Sequence, residues 1–360
     1  MDAEPTPKLL TAIIPTRNRP DNVARQLRLI KSAPYPIIVA DSSDAANADR
    51  IRATIPDGIQ FRALAPELTL YDKLDLVLRG IDTPFVVVMS DRKMTFPHAI
   101  DALLAHLRRH DDHIAAMGYV LGFTQHADTI DINRVIWFTP TICDDDPLQR
   151  HFHLMQRYQS RAFSVFRIAP LRRAVTQALR VEGPLFQEIL LMNALALQGK
   201  LARLPTVLTL QGQERSFHPP TRNDPLFWFL DDINSFFRHY VRYRKALTDF
   251  IRELGVPLPV NTDPDQLVDM IHAVWLHRNF DDGMLNHTAR LLLGDSMAPL
   301  AGPEAHRPWR KPAWHDVVKR RRLRYVWRDA VLRAEPAGEI HISRQEMEYV
   351  MTGLDLYFAP

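Results

Sequence analysis

Three short clusters of polar residues in the N-terminal part of the chain carry side chains that can bind a charged ligand. They occupy residues 16–19, 41–44 and 90–93, and each follows an apolar run. Their carboxylates can accept hydrogen bonds, and their Arg and Lys side chains can pair with phosphate oxygens. The chain has 13 glycines in 360 residues and neither a Gly-x-Gly-x-x-Gly nor a Walker-type loop. A dinucleotide oxidoreductase is therefore disfavoured, and a phosphorylated ligand must be held mostly by side chains.

The segments around these clusters predict alternating strands and helices. Residues 9–14, 37–40 and 85–89 are apolar runs of strand length, whereas residues 21–31 and 70–81 carry apolar side chains at helical spacing. This alternation predicts an α/β fold with a mainly parallel sheet and helices on both faces. Such sheets bind ligands at the carboxyl ends of their strands. All three polar clusters lie at these ends, so we expect them to line one site.

Five short motifs follow one another over residues 8–218. The first two, Ile-Ile-Pro-Thr-Arg-Asn-Arg-Pro and Val-Ala-Asp-Ser-Ser, occupy residues 13–20 and 39–43. The others occupy residues 71–73 together with 80–87, 117–123 and 197–200. In this order the motifs resemble those of family-2-type glycosyltransferases, which are inverting enzymes of the GT-A fold. The resemblance implies a GT-A-like nucleotide-sugar-binding and catalytic domain over residues 1–220, followed by a helical C-terminal domain over residues 221–360.

The resemblance also implies a reaction, the transfer of a sugar from a nucleotide-diphosphate donor, UDP-linked, to a glycan or lipid-linked acceptor with inversion. We expect Asp41 to accept a hydrogen bond from a uracil-type N–H group and Asp91 to accept hydrogen bonds from ribose hydroxyls. Lys73 would orient Asp91 or reach the nucleotide. The alternatives are a helix cap for Asp41 and a surface position for Lys73. The predicted nucleotide-binding residues are Pro15, Thr16, Arg17, Arg19, Asp41, Ser42, Lys73 and Asp91.

The metal-binding motif of that family is degenerate in this chain. Where the family has Asp-x-Asp, the sequence reads Ser-Asp-Arg-Lys, and the first acid, Asp91, is the one remaining candidate metal ligand. Because Mg²⁺ and Mn²⁺ prefer several oxygen ligands, we expect Arg92 and Lys93 to stabilise the leaving diphosphate without a cofactor. Arg215 and His218 would add to this charge. The alternatives are a retained Mg²⁺ or Mn²⁺ site and a catalytically inactive GT-A-like protein that acts by binding.

An inverting transfer needs a general base for the acceptor hydroxyl. Glu188 lies early in a predicted helix over residues 185–198, in the segment where the family has its base, and Glu182 is the competing carboxylate. The alternative for Glu188 is a favourable interaction with the positive end of that helix.

Three further groups of residues have simpler interpretations than a site. The acids at residues 144–146 precede a proline and a helical pattern, which predicts a helix N-cap rather than a displaced metal site. His151 and His153 are two apart on a predicted helix and so point in different directions, which disfavours shared metal binding. A solvated face, or else an acceptor-facing or phosphate-facing patch, is predicted for Arg150, Arg157, Tyr158 and Arg161.

The composition predicts the cellular compartment of the protein. The single cysteine, Cys143, rules out an internal disulfide or a Cys-based zinc site and favours a reducing environment. No apolar run approaches the roughly 20 residues of a membrane span. No basic, apolar leader follows the N-terminal methionine. We therefore expect a cytoplasmic protein that can contact the inner face of the membrane peripherally.

The C-terminal part is basic and aromatic. Residues 305–334 contain ten Lys or Arg and two acids, densest at residues 319–324, and predict a basic helix with interleaved aromatic side chains. Its partner would be an anionic membrane surface, an acidic glycan or nucleic acid, although the net charge of +3 argues against nucleic acid. The alternative is a solvated helix that packs its Trp side chains inward. The aromatic segments 226–243 and 270–280 predict core or homodimer contacts.

Overall fold

A computed structural model describes residues 9–126, 129–137, 139–156, 158–212, 225–293, 315–320, 323–328 and 342–358. Its strands belong to one mixed sheet. In chain order they are β1(Leu10–Thr16), β2(Ile37–Asp41), β3(Gln60–Ala63), β4(Phe85–Val88), β5(Lys93–Thr95), β6(His113–Gln125), β7(Thr129–Trp137), β8(Val165–Arg167), β9(Lys200–Gly212), β10(His315–Arg320) and β11(Leu323–Arg328). The spatial order is β10-β11-β7-β6-β8-β4-β1-β2-β3, and β9 pairs with β6 and β5.

Helices cover the sheet and form most of the described C-terminal part. In chain order they are α1(Pro20–Ile30), α2(Ala45–Ala53), α3(Leu70–Leu78), α4(Pro97–Arg109), α5(Pro147–Gln156), α6(Ile168–Ala178), α7(Pro184–Gln198), α8(Pro225–Asp231), α9(Ile233–Glu253), α10(Pro264–Leu293) and α11(Arg344–Tyr357). None of the described helices is both long and apolar enough to cross a membrane.

The central strands are buried on both faces. Every residue of β1, β2 and β4 is buried. Because side chains alternate along a strand, Ile13 packs into one core with Ile38, whereas Ile14 and Val39 pack into the other. Apolar burial on both faces requires helices on both sides. The predicted α/β architecture, a sheet flanked by helices, is confirmed.

The strand register places the polar clusters side by side. β1 pairs in parallel with β2, with Thr16 opposite Asp41, and with β4, with Ile13 opposite Val88. Asp91 follows β4 by three residues, so the ends of three neighbouring parallel strands meet at one edge of the sheet. β4 is antiparallel to β8, and β8 is antiparallel to β6. β6 therefore runs in the same direction as β1.

The basic C-terminal run differs from the sequence prediction. We predicted a helix, but the described parts of this segment are the antiparallel strands β10 and β11, and β11 extends the sheet by pairing with β7. The physical reason is the residue pattern. Tyr325 and Trp327 are buried, and these large side chains two residues apart reach the same face in a strand but not in a helix. The expected domain boundary near residue 220 falls outside the described residues.

The last helix, α11, packs against the N-terminal part of the chain. Its Glu346 carboxylate accepts hydrogen bonds from Thr206 Oγ1 at 2.9 Å and from the Val207 amide at 2.6 Å, and it lies 2.9 Å from His98 Nε2. At Gly353 the helix approaches Phe96 so closely that a Cβ atom would lie 2.5 Å from the ring. The C-terminal helix is therefore part of the main packing unit.

Candidate functional site

Thr16 and Asp91 join the ends of β1 and β4. Thr16 Oγ1 donates a hydrogen bond to Asp91 Oδ2 at 2.9 Å, and Arg19 Nη1 forms an ion pair with Asp91 Oδ1 at 3.0 Å. The Asp91 side chain is 7% exposed. Each carboxylate oxygen thus has a donor, one from the last residue of β1 and one from the loop that follows it.

Lys73 joins the ends of β1 and β2 from helix α3. Its buried ammonium group donates to the Thr16 carbonyl and to Ser42 Oγ, each at 3.0 Å. Burial lowers the pKa of Lys73, and the nearby carboxylates of Asp91 and Asp41 oppose that shift. The alternative of a surface position for Lys73 is therefore wrong, because the residue is 6% exposed and its ammonium group donates to two buried oxygens.

Asp41 has one engaged and one unengaged oxygen. Oδ1 accepts hydrogen bonds from the Ser43 amide at 3.1 Å and from Ser43 Oγ. Oδ2 is buried and has no hydrogen-bond partner among the described residues. Burial raises the pKa of Asp41, whereas Ser43 and Lys73 act to lower it. A buried acceptor without a donor is costly, so Oδ2 is suited to a donor supplied by a ligand.

The helix-cap alternative for Asp41 is also wrong. Asp44 caps α2 and accepts from the Asn47 amide at 3.0 Å. A neighbouring residue that sequence reasoning did not select is Asn18, which has φ of 55° in the turn after β1. Its amide donates to Ser43 Oγ at 2.7 Å, and its side-chain oxygen accepts from the Asp44 amide at 3.0 Å. Asn tolerates left-handed backbone, which was the available sequence signal.

Glu188 lies in the first half of α7. Tyr158 OH donates to Glu188 Oε1 at 3.1 Å, and Ser160 also hydrogen-bonds the carboxylate. Burial raises the pKa of Glu188, while Ser160, Tyr158 and the charge of Lys93 act in the opposite direction. The carboxylate is therefore held in a defined orientation, by partners that come from outside its helix.

Lys93 is close enough to Glu188 for their charges to interact. It begins β5, is 6% exposed, and its ammonium group lies 4.8 Å from the centroid of the Phe163 ring. Burial lowers the pKa of Lys93 to about 7, with Glu188 raising it and Arg92 lowering it. Arg92 is half-buried, and its amide donates to Ser90 Oγ at 3.2 Å. A cation and a candidate base thus occupy the same region.

Helix α3 carries one residue at the strand ends and another near Glu188. Lys73 binds the strand ends. Tyr71 is buried, and the charge of Glu188 adds to burial in raising the pKa of Tyr71. Sequence reasoning did not single out Tyr71 as a functional residue.

The remaining predicted site residues have other positions. Pro15 is buried within β1, and Arg17 is exposed but close enough to affect the Lys73 charge. Two other predicted site residues, Arg215 and His218, lie outside the described residues.

The residues around Asp91 do not fit a divalent cation. Both Asp91 oxygens already accept from Thr16 and Arg19, and the next two residues, Arg92 and Lys93, are cationic. Mg²⁺ and Mn²⁺ require several hard oxygen ligands. This donor set supplies one carboxylate that is already paired with a guanidinium group.

The competing acids have other partners. Glu182 is exposed and pairs with Arg242 at 3.4 Å, away from the groups that hold Glu188. Asp146 accepts from the Leu148 and Gln149 amides at 2.6 and 3.3 Å, which confirms the predicted N-cap of α5.

The basic and histidine residues of α5 lie apart. His151 is fully buried 2.9 Å from His272, whereas His153 is exposed and 2.7 Å from Asp144. The prediction that these histidines share no metal site is consistent with this separation. The predicted solvated face is wrong for Arg150, which is buried and donates to the Ala196 carbonyl at 2.6 Å. It is equally wrong for Arg161, which is 2% exposed; Arg157 lies outside the described residues.

The chain matches no protein-family model. No curated protein sequence matches it.

Solved structures with a similar arrangement include two of S. aureus TarS residues 1–349. One has TM-score 0.47 and 12% identity, covering 80% of this chain and 75% of that chain. The other, in complex with UDP-GlcNAc, has TM-score 0.47 and 14% identity, covering 80% and 76%. Glucosyl-3-phosphoglycerate synthase from Mycobacterium tuberculosis, in complex with phosphoglyceric acid, has TM-score 0.36 and 15% identity, covering 70% and 81%.

Proposed function

We propose that the chain is a glycosyltransferase that moves a sugar from a nucleotide-diphosphate donor, UDP-linked, to a hydroxyl of a glycan or lipid-linked acceptor with inversion. The observation that carries this proposal is the buried arrangement of Thr16, Asp41, Lys73 and Asp91 at three adjoining strand ends. In that arrangement the Asp41 Oδ2 acceptor has no partner among the described residues.

The strand ends suit a nucleotide. A uracil ring presents an N–H group, which would satisfy Asp41 Oδ2. Ribose hydroxyls would donate to the Asp91 carboxylate, whose position is set by Thr16 and Arg19. The exposed guanidinium group of Arg17 would pair with phosphate oxygens.

Lys93 and Arg92 suit a leaving diphosphate. When the sugar–phosphate bond breaks, negative charge accumulates on the diphosphate and has to be stabilised. The pKa of Lys93 is lowered to about 7 by burial, and a neighbouring diphosphate would raise it again and so hold Lys93 in its cationic form. We propose that these two cations act in place of a metal ion, with Arg215 and His218 as further predicted contributors.

Glu188 suits the general base. A base works best when its pKa lies near the working pH, and burial shifts the pKa of Glu188 upward toward that range. Hydrogen bonds from Tyr158 and Ser160 orient the carboxylate. As the Glu188 carboxylate accepts the hydroxyl proton, the acceptor oxygen attacks the anomeric carbon from the face opposite the diphosphate, and the bond between that carbon and the diphosphate breaks.

The decisive experiment combines binding and turnover. Thermal shift with UDP, GDP and ADP tests the nucleotide, since ligands that bind the folded state stabilise it. We expect UDP to raise Tm most, Asp41→Asn to abolish the shift, and Asp44→Asn, a nearby exposed acid, to retain it. Hydrolysis or transfer of UDP-sugars should continue in excess chelator. Absence of any nucleotide effect on Tm would remove the proposal.

The second candidate is an inactive GT-A-like binding protein. The incomplete Asp-x-Asp motif at residues 90–93 favours it. This candidate predicts a UDP-dependent rise in Tm without turnover of any UDP-sugar.

We also propose a cytoplasmic location, a homodimer and peripheral contact with an anionic membrane through residues 305–334. Sedimentation with vesicles of phosphatidylcholine alone or with phosphatidylserine tests that contact, because electrostatic binding requires the anionic lipid and weakens with salt.

A further inference from the structure

Three histidine rings are gathered where helix α4 ends and strand β6 begins. The ring centroids lie 4.3 Å apart for His106 and His110, 5.0 Å for His106 and His113, and 5.2 Å for His110 and His113. His106 and His110 are one helical turn apart, and the short loop at residues 110–112 folds back so that His113 meets both. Neither the nucleotide-binding strand ends nor Glu188 involves these residues.

A carboxylate completes the cluster. One ligand atom each from His110, Asp112 and His113 lies within 4.8 Å of the others. Asp112 Oδ2 is held by Lys200 Nζ at 2.8 Å, whereas Oδ1 lies 3.2 Å from His113 Nδ1. Lys200 therefore orients the carboxylate so that one oxygen remains on the histidine side. The third histidine of the cluster, His106, lies beside these ligands. Its Nε2 atom is buried and has no hydrogen-bond partner among the described residues.

We propose that His110, Asp112 and His113 form a binding site for Zn²⁺ or a similar divalent transition-metal ion. Imidazole nitrogen and carboxylate oxygen are preferred zinc ligands. Tetrahedral zinc with bonds of about 2.0–2.1 Å brings its ligand atoms to roughly 3.3 Å from one another. The ligand atoms now lie within 4.8 Å of one another. Because the side chains of His110 and Asp112 are exposed, they can rotate to the shorter separation that zinc requires.

The backbone that carries these ligands is already held in place. Arg167 donates to the His113 carbonyl at 2.9 Å, to the His110 carbonyl at 3.1 Å and to the Leu107 carbonyl at 2.6 Å. One guanidinium group thus fixes the helix end, the loop and the strand start together. A preformed backbone lowers the entropy cost of binding an ion.

The site lies at the opposite edge of the sheet from the candidate active site. β6 runs in the same direction as β1, so its first residue, His113, is at the amino ends of the strands, whereas Thr16 and Asp41 are at the carboxyl ends. An ion here would link the loop that follows α4 to the first residue of β6 and stabilise the fold. We therefore expect zinc to change stability and not sugar transfer, and the proposal is independent of the proposed function.

The test uses the full chain, with any affinity tag removed, after chelator treatment and desalting. Calorimetric titration with ZnCl₂ should give one ion per chain for the wild type and for His153→Ala, a control that removes an exposed histidine next to another carboxylate. The double variant H110A/H113A should bind more than about tenfold more weakly. Asp112→Asn, which keeps the side-chain shape, should also weaken binding.

Two further readouts separate a site from nonspecific binding. Co²⁺ should give the absorption of a tetrahedral complex with the wild type but not with H110A/H113A. Zn²⁺ should raise Tm by several degrees for the wild type and for His153→Ala but not for H110A/H113A. A thermal transition for the zinc-free double variant checks that it is folded. Equal zinc affinity of the wild type and the folded double variant would overturn the proposal, as would equal affinity of the wild type and Asp112→Asn.

Discussion

The Thr16 hydroxyl donates a hydrogen bond to the Asp91 carboxylate across 75 residues of sequence, and this bond connects the ends of two neighbouring parallel strands. Lys73 extends the connection to the third strand end through the Thr16 carbonyl and Ser42. The acids and cations that we assign to the nucleotide are thus packed against one another before any ligand arrives. Preorganisation of this kind reduces the cost of binding.

Replacing Lys73 by Met should reduce both stability and nucleotide binding. The Thr16 carbonyl and Ser42 Oγ would lose a buried donor, which costs about 1–3 kcal/mol in the free energy of unfolding. Urea unfolding measures this loss, and calorimetry measures UDP affinity. Lys245→Met is the matched control, because Lys245 is exposed and pairs with Asp249 within one helical turn. It should change stability by less than about 0.5 kcal/mol.

Glu188→Gln should lower the rate of transfer strongly and leave UDP binding unchanged. Loss of a general base lowers kcat by roughly 10²–10⁴-fold. Steady-state kinetics with a UDP-sugar and calorimetry with UDP separate the two effects, and Glu182→Gln provides the control. If the folded Glu188→Gln variant kept full turnover, the assignment of the base would be wrong.

The same substitution should change how stability depends on pH. The pKa of Glu188 is raised in the folded state, so the folded protein holds this proton more tightly than the unfolded chain does. The stabilisation from this proton is fully present below the pKa of Glu188 in the unfolded chain. It is lost as pH rises through the higher pKa of the folded state. Relative to the wild type, Glu188→Gln should therefore gain stability from acidic to neutral pH in urea unfolding.

Lys93→Met should weaken binding of UDP but not of uridine. The diphosphate would lose a buried cation, whereas the nucleoside makes no use of it. Because burial lowers the pKa of Lys93 to about 7, UDP binding to the wild type near that pH should also take up a proton. Titration in buffers of different ionisation enthalpy measures that uptake. A variant that loses uridine affinity equally would place Lys93 outside the diphosphate site.

Gly353→Ala should destabilise the chain by about 1–3 kcal/mol through overpacking. The added Cβ would lie 2.5 Å from Phe96 Cε1, and Phe96 is itself buried. The measurement is urea unfolding, with Thr352→Ala on the exposed face of the same helix as control. An unchanged unfolding free energy for Gly353→Ala would mean that α11 does not dock tightly against Phe96.

The predictions that failed concern residues whose neighbours come from distant parts of the chain. The basic segment is locally compatible with a helix, and pairing of β11 with β7 decides in favour of strands. Arg150 appears as one of several surface charges in sequence, yet it is buried because the carbonyls at the end of α7 need donors. The histidine cluster is local, by contrast, and was missed because His113 reaches His106 and His110 only through the turn between α4 and β6.

The sequence by itself determined the strand–helix alternation, the polar clusters at the ends of β1, β2 and β4, and the cap at Asp146. These features depend on local hydrophobic periodicity and on the rule that parallel strand ends share one edge. Only the tertiary structure decided which oxygen of Asp41 lacks a partner, that Lys73 lies between the strand ends, and that Tyr158 and Lys93 surround Glu188. Those relationships depend on burial and on contacts across tens of residues, which no local pattern encodes.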